Sequence, residues 1–209
     1  MTEWIDQFLQ QSITFAAIMD PVGVSAMMLG MLPHQTTHTE AAFIARKSTM
    51  TILAAFAVVF VTGDAILRFF GIDQHSLKVI GGIVLLMMAI EMLGNGEEGR
   101  MLPAEGKGEI AVIPLGIPVI FGAGLFTTVI IFRQQASDPV QMAITVAAFL
   151  LNALVIYLAL RYAILIRRWL GITAEKVVTK LMGIITGAIA VQFIVGGVVV
   201  LGKHFWEGL

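Results

Sequence analysis

Apolar residues fall in long blocks from one end of this chain to the other, with few polar breaks between them. The blocks cover about 8–32, 48–70, 77–93, 110–132, 139–166 and 179–201. Each is long enough to cross a hydrocarbon core, which takes roughly 20 helical residues. The pattern predicts an all-α integral membrane protein with six transmembrane helices. The main polar interruption, 95–109, carries Glu97, Glu98, Arg100, Pro103, Glu105 and Lys107. It reads as a solvated, cytoplasmic connector between a first three-helix unit at 1–94 and a second at 110–209.

The two units carry matching signatures. Pro21-Val22-Gly23-Val24 in the first block repeats as Pro114-Leu115-Gly116-Ile117 in the fourth. In the third block Gly82 is followed by Ala89-Ile90-Glu91, and at the same spacing in the sixth Gly183 is followed by Ala190-Val191-Gln192. Two matches in the same order predict an internal duplication. Three spans per copy send the second copy into the membrane from the opposite side, the inverted topology on which many secondary transporters are built.

The Pro-x-Gly segments predict broken helices 1 and 4. Proline removes a backbone donor and clashes with the preceding turn, and glycine weakens a helix. In hydrocarbon the freed backbone groups have no water to bond, so such backbone survives only when buried in protein or lining a wet cavity. The ends of half-helices present N–H groups that suit a carboxylate and carbonyls that suit a cation. Two breaks at equivalent places therefore predict a site between the halves. The bland alternative is that these prolines kink packed helices and the glycines allow close contact. The second break is rich in small residues, with Pro114, Gly116, Pro118, Gly122 and Gly124 ahead of Thr127 and Thr128, so little side chain is expected to obstruct a ligand there.

Polar residues at membrane depth narrow the candidates. Asp20 lies inside the first block directly before Pro21, where a carboxylate is costly unless paired or protonated. It suits a substrate ammonium, a coupling cation or a proton, and an N-cap on the half-helix after the break is its plainer role. Glu91 near the end of the third block, and Gln192 at the matching place in the sixth, join the candidate set, with an interfacial position as the alternative for Glu91. Asn152, mid-block in the fifth span, reads first as an interhelical hydrogen-bond residue. Asp64 and Arg68, four apart, read as a local pair, and Gly183 with Gly187 as a close-packing step. The candidate substrate-binding set is thus Asp20, Pro21, Gly23, Glu91, Pro114, Gly116, Pro118, Gly122, Gly124, Thr127, Thr128, Asn152 and Gln192.

Composition agrees with a membrane solvent: of the 209 residues 58% are hydrophobic and 13% charged, about half the share of roughly 25% in soluble domains. Cysteine is absent, which removes disulfides, thiolate metal sites and a cysteine nucleophile. A net charge of -1 with no basic arm speaks against nucleic acid. The four histidines, His34, His38, His75 and His204, fall outside the apolar blocks. Gly23-Val24-Ser25-Ala26-Met27 fails the nucleophile-elbow pattern at its last position, and no phosphate-binding loop occurs. The reading is a non-enzyme with no cofactor and no metal. Arg46, Lys47, Arg100, Lys107, Arg161, Arg167, Arg168, Lys176 and Lys180 fall on one side of the six-span arrangement, against Arg68, Lys78, Arg133 and Lys203 on the other, which predicts both termini outside. No positive n-region precedes the first block, so that block is expected to stay as a span.

Over essentially its whole length the chain resembles the MarC family of bacterial inner-membrane proteins. The resemblance is carried by Asp20-Pro21-Val22-Gly23, by Gly81-Gly82-Ile83-Val84-Leu85 through Ala89-Ile90-Glu91-Met92, by Ile113-Pro114-Leu115-Gly116-Ile117-Pro118, and by Leu181-Met182-Gly183 through Ala190-Val191-Gln192. It implies a six-span protein of the plasma membrane, with some relatives described as transporters of small neutral amino acids, and a distant similarity to LysE-type exporters. The family is named for an antibiotic-resistance locus, without an established resistance role. Two positions depart from its pattern: Asp20 where Asn is usual, and Ala123 where Pro is common. The expectation is a secondary transporter or exporter of small polar solutes, small neutral amino acids foremost, working by alternating access at a midplane site with H+ or Na+ as coupling ion. A channel or ion-conducting pore and a non-transporting membrane assembly factor are the alternatives. The expected partners are the lipid bilayer and the solute.

Overall fold

A computed structural model describes residues 2–32, 37–94, 111 and 115–207, and among these it contains helices and no strand. In chain order they are α1 (Thr2–Met19), α2 (Pro21–Met31), α3 (His38–Phe70), α4 (Gln74–Leu93), a short π-helical segment (Leu115–Ile120), α5 (Ala123–Gln135), α6 (Pro139–Arg161) and α7 (Ala163–Glu207). Five stretches are long and apolar enough to cross a membrane: Glu3–Met31, which joins α1 and α2, His38–Phe70, Gln74–Leu93, Pro139–Arg161 and Ala163–Lys203. The connector at 95–109 lies outside the described residues.

Six spans were expected, with the first and fourth broken, and the fourth is the one that, among the described residues, has no helix long and apolar enough to cross by itself. The described part of 110–132 is the π-helical segment and the start of the 13-residue α5, parted by Phe121 and Gly122. Other boundaries differ because an apolar run marks only the lipid-facing part of a helix. α3 begins at His38 rather than near 48, because Thr37 and Glu40 form a reciprocal capping box: Thr37 N–H donates to Glu40 Oε2 at 2.9 Å and Glu40 N–H to Thr37 Oγ1 at 3.4 Å. The span expected at 139–166 ends at Arg161, beside Tyr162. α7 extends well beyond 179–201 and is bent at Gly171, whose φ of 71° and ψ of 164° no ordinary helix contains.

The longest interface joins α4 and α7, and glycines make it possible. A Cβ on Gly82 would fall 2.7 Å from the Ala190 carbonyl oxygen, one on Gly183 3.3 Å from that of Ala89, and one on Gly197 2.7 Å from that of His75. Contacts that rise along one helix as they fall along the other make the pair antiparallel. They are also reciprocal, since Gly82 meets Ala190 while the matching Gly183 meets Ala89. The packing role read for Gly183 and Gly187 holds, the latter facing the Ala89 Cβ at 3.4 Å.

Aromatic rings fill the other half of the core. Phe149 on α6 stacks on Phe56 of α3 at 3.9 Å between centroids and meets Phe15 of α1 edge-on at 5.4 Å, and Phe15 in turn meets Phe132 of α5 at 5.3 Å. Phe121, in the break before α5, closes on Phe149 at 6.4 Å. Outward-facing residues are apolar as well, among them Val61, Phe69, Trp169, Val195 and Val199. Such a coat suits hydrocarbon rather than water.

Candidate functional site

The first break is set by Asp20 and Pro21. The residue before a proline is pushed out of the right-handed helical region. Asp20 answers with φ 38° and ψ 73°, and among the described residues it is the one non-glycine with positive φ. Aspartate and asparagine tolerate that region because their short polar side chains bond locally. Here Asp20 Oδ1 accepts from Gly23 N–H at 3.2 Å, so Asp20 caps α2 while Pro21 takes the first helical position, where its missing N–H costs nothing.

Proline also leaves a carbonyl behind. Pro21 cannot donate to Ala17, four residues earlier, and the hydroxyl of Thr186 on α7 donates to that oxygen instead, at 3.1 Å. Near the second break, the buried Ser48 hydroxyl on α3 donates to the Ala111 carbonyl at 2.8 Å.

Asp20 itself is buried, with 7% of its surface exposed. A Cβ on Gly23 would collide with its carboxylate and lie 3.0 Å from Thr179 Oγ1, so the carboxylate and the Thr179 hydroxyl share the space that Gly23 leaves open. One turn before Thr179 stands Glu175, only 5% exposed. Glu175, Thr179 and Thr186, spaced by four and seven, lie on one face of α7. None of these three was in the expected site. The apolar block at 179–201 left Glu175 and Thr179 at or beyond its edge, and the helical spacing of the three was the signal that could have found them.

Within the described residues the second break falls at Pro118, one of the prolines the sequence placed there. Ile117, before Pro118, is extended at φ -134° and ψ 126°, the conformation proline imposes on its predecessor. Phe121 N–H reaches back to the Gly116 carbonyl at 2.9 Å, and Gly122 begins α5 in extended backbone. Pro114 lies outside the described residues, and of Pro118 only the backbone is described. The π-helical segment packs against α2 and α3, so the two broken regions touch.

The expected open space is, however, mostly filled. A Cβ on Gly116 would meet Thr51 Cγ2 at 2.9 Å, and one on Gly124 would meet Leu85 Cδ2 at 2.7 Å and Met88 Sδ at 2.9 Å. These two glycines serve helix approach, the plainer of their two readings. Gly122 instead borders an apolar groove of about 750 Å3 that also takes in Thr51, Ala55, Val59, Ile117, Phe121 and Phe126. Thr127 and Thr128 are buried, and each spends its hydroxyl hydrogen at 2.8 Å on the carbonyl four residues back, Ala123 and Gly124, leaving lone pairs that accept only.

Asn152 is an interhelical pin, as read from the sequence. Its Nδ2 donates to Ala148 O at 2.9 Å and across to Ser12 O on α1 at 3.1 Å. Glu91 and Gln192 do not join the site. Both are exposed, because α4 and α7 meet along the faces that carry Gly82, Ala89, Gly183 and Ala190 and turn these two side chains outward. Asp64 does not pair within its own helix either; the cation near it is Arg133 of α5, with Nη1 3.9 Å from Asp64 Oδ2.

The sequence pattern of the MarC family integral membrane proteins matches residues 5–201. A UPF0056 membrane protein of Pyrococcus abyssi is 30% identical over 95% of this chain and 97% of its own length. One from Methanocaldococcus jannaschii is 29% identical over 93% and 97%, and the UPF0056 inner membrane protein YhgN of Escherichia coli K12 is 26% identical over 93% and 97%. No solved structure matches significantly.

Proposed function

Since this chain belongs to the MarC family of integral membrane proteins, we propose that it is a secondary transporter of small polar solutes, with its site at the first helix break around Asp20. The observation that carries the reading is the buried carboxylate of Asp20, held in left-handed backbone at a broken helix and facing Thr179. A carboxylate at membrane depth costs several kcal/mol in hydrocarbon and is kept where it serves a solute or ion path. Backbone strain of this kind concentrates at binding sites and switches.

Alternating access follows from an inverted repeat. In this reading the π-helical segment and α5 together make one crossing, giving six spans in two units of three. The reciprocal, antiparallel Gly82–Ala190 and Gly183–Ala89 contacts support it, as expected for two copies related by a two-fold axis in the membrane plane. So do Phe70-Gly71-Ile72 and Leu170-Gly171-Ile172, which carry positive-φ glycines ahead of α4 and of the long part of α7. The solutes are small neutral amino acids, whose ammonium Asp20 accepts, with H+ or Na+ as the coupling ion. The protein is a carrier rather than an enzyme, in a bacterial-type inner membrane, with both termini outside.

Thermal unfolding of the purified protein against amino acids, small organic acids, Na+ and pH tests the reading. Small neutral amino acids are expected to raise the melting temperature, and Asp20→Asn to change that response. A flat panel contradicts a solute site.

A further inference from the structure

The apolar groove beside the second break runs along α3 and ends in a cation. Its α3 wall is Thr51, Ala54, Ala55 and Val58, faced by Phe121 and Phe126, and its volume is about 750 Å3. Ala54 is exposed and Val58 is 60% exposed, so the groove opens outwards from the bundle, where the solvent is hydrocarbon and not water. Lys47, Thr51, Ala54 and Val58 recur at offsets of four, seven and eleven, which puts them in one line along α3. The Thr51 hydroxyl donates to the Lys47 carbonyl at 3.0 Å, so the near end of the groove rests on the turn that carries the lysine.

Lys47 stands at the level of a headgroup. It is the last residue before the apolar run that starts at 48, and it is exposed, next to the equally exposed Arg46. A long helical side chain leans back towards the start of its helix. The Lys47 ammonium accordingly lies 5.9 Å from the centroid of the Phe43 ring, one turn nearer that end, while its apolar stem leads out of the groove. Small side chains on α3 leave the room. Laid over one another through Arg68-Phe69-Phe70-Gly71-Ile72 and Arg168-Trp169-Leu170-Gly171-Ile172, the two halves bring Leu151, Leu154 and Val155 of α6 to the places of Thr51, Ala54 and Ala55. Those three α6 residues are exposed, so α6 covers with branched side chains the outer face that α3 leaves open.

We propose that the groove holds an acyl chain of an anionic phospholipid, whose phosphate pairs with Lys47. An apolar wall that ends in a cation at the edge of the apolar run matches the polarity of such a lipid, and basic residues at that level attract anionic headgroups. The site is independent of the one at Asp20, and its failure leaves the transporter reading standing.

Native mass spectrometry of the full-length protein in detergent, titrated with phosphatidylglycerol or with phosphatidylcholine of the same acyl chains, tests it. Phosphatidylglycerol is expected to bind more tightly. Lys47→Gln is expected to weaken phosphatidylglycerol about fivefold, the share of one lysine at an anionic headgroup, and phosphatidylcholine less. Lys203→Gln, at an exposed lysine near the end of α7, is expected to change neither. Ala54→Trp, at an exposed position whose indole takes up the groove, is expected to weaken both lipids. Equal binding of the two lipids, equal effects of Lys47→Gln and Lys203→Gln, or unchanged binding in Ala54→Trp overturns the proposal. So does a lipid-free dimer that Ala54→Trp dissociates, which gives the groove to a second copy of this chain.

Discussion

Thr186 donates its hydroxyl hydrogen to the carbonyl of Ala17, 3.1 Å away on another helix, at the oxygen that Pro21 leaves without its helical donor. The bond joins the broken first helix to α7 and compensates the break where it occurs. Thr186→Val, nearly the same shape without the hydroxyl, is therefore expected to destabilise the protein by roughly 0.6–2 kcal/mol, while Thr186→Ser retains most of the stability. Unfolding in detergent measures the difference; equal stability of the valine and serine variants would show that the carbonyl finds another donor.

Asp20 acts on the same break from the other side. Asp20→Asn keeps a side-chain acceptor for Gly23 N–H and a residue type at ease in left-handed backbone, so its melting temperature should stay near that of the parent. Asp20→Ala loses the cap and strains the backbone, and is expected to cost about 1–3 kcal/mol. Melting curves of the two variants side by side check this.

The α4–α7 interface makes a graded prediction. Gly82→Ala pushes a methyl group to 2.7 Å from a backbone oxygen, which the helices relieve only by moving apart, at about 1–3 kcal/mol. Gly187→Ala meets the Ala89 Cβ at an ordinary 3.4 Å, and Gly196→Ala meets nothing within 4 Å, so both should be near neutral. A ranking by chemical unfolding that puts Gly82→Ala level with Gly196→Ala contradicts the packing.

The two positive-φ glycines also differ. Gly71, at φ 64° and ψ 27°, closes α3 in a conformation open to asparagine. Gly171, at φ 71° and ψ 164°, lies where essentially only glycine goes. Asparagine should be nearly silent at 71 and cost about 1–3 kcal/mol at 171, as read from thermal unfolding.

Much of this was legible in the sequence. The run before Pro21 and the Asp20 cap followed from local chemistry, because a proline and its predecessor constrain each other whatever surrounds them. Asn152 as a helix-to-helix pin followed from an amide in an apolar block. Legibility failed where the answer depended on which faces meet. Glu91 and Gln192 match in sequence, yet both turn outward once Gly82 and Gly183 set the α4–α7 contact. Asp64 had Arg68 within reach on its own helix, but Gly63 brings α5 close enough for Arg133. Glu175 and Thr179 escaped notice because an apolar run marks where a helix meets lipid, and α7 continues well past that point. Gly116 and Gly124 signalled a break but not its contents, since Thr51, Leu85 and Met88 come from helices far away in sequence.

The central claim is a solute path at Asp20, and its most direct test is counterflow of radiolabelled small neutral amino acids in proteoliposomes, compared between the parent and Asp20→Asn across pH and with or without Na+. The account predicts saturable counterflow in the parent that depends on pH or Na+, and in the folded Asn variant either no counterflow or counterflow indifferent to both. Counterflow in Asp20→Asn identical to that of the parent under every condition, or none in the parent for any of these solutes, contradicts it.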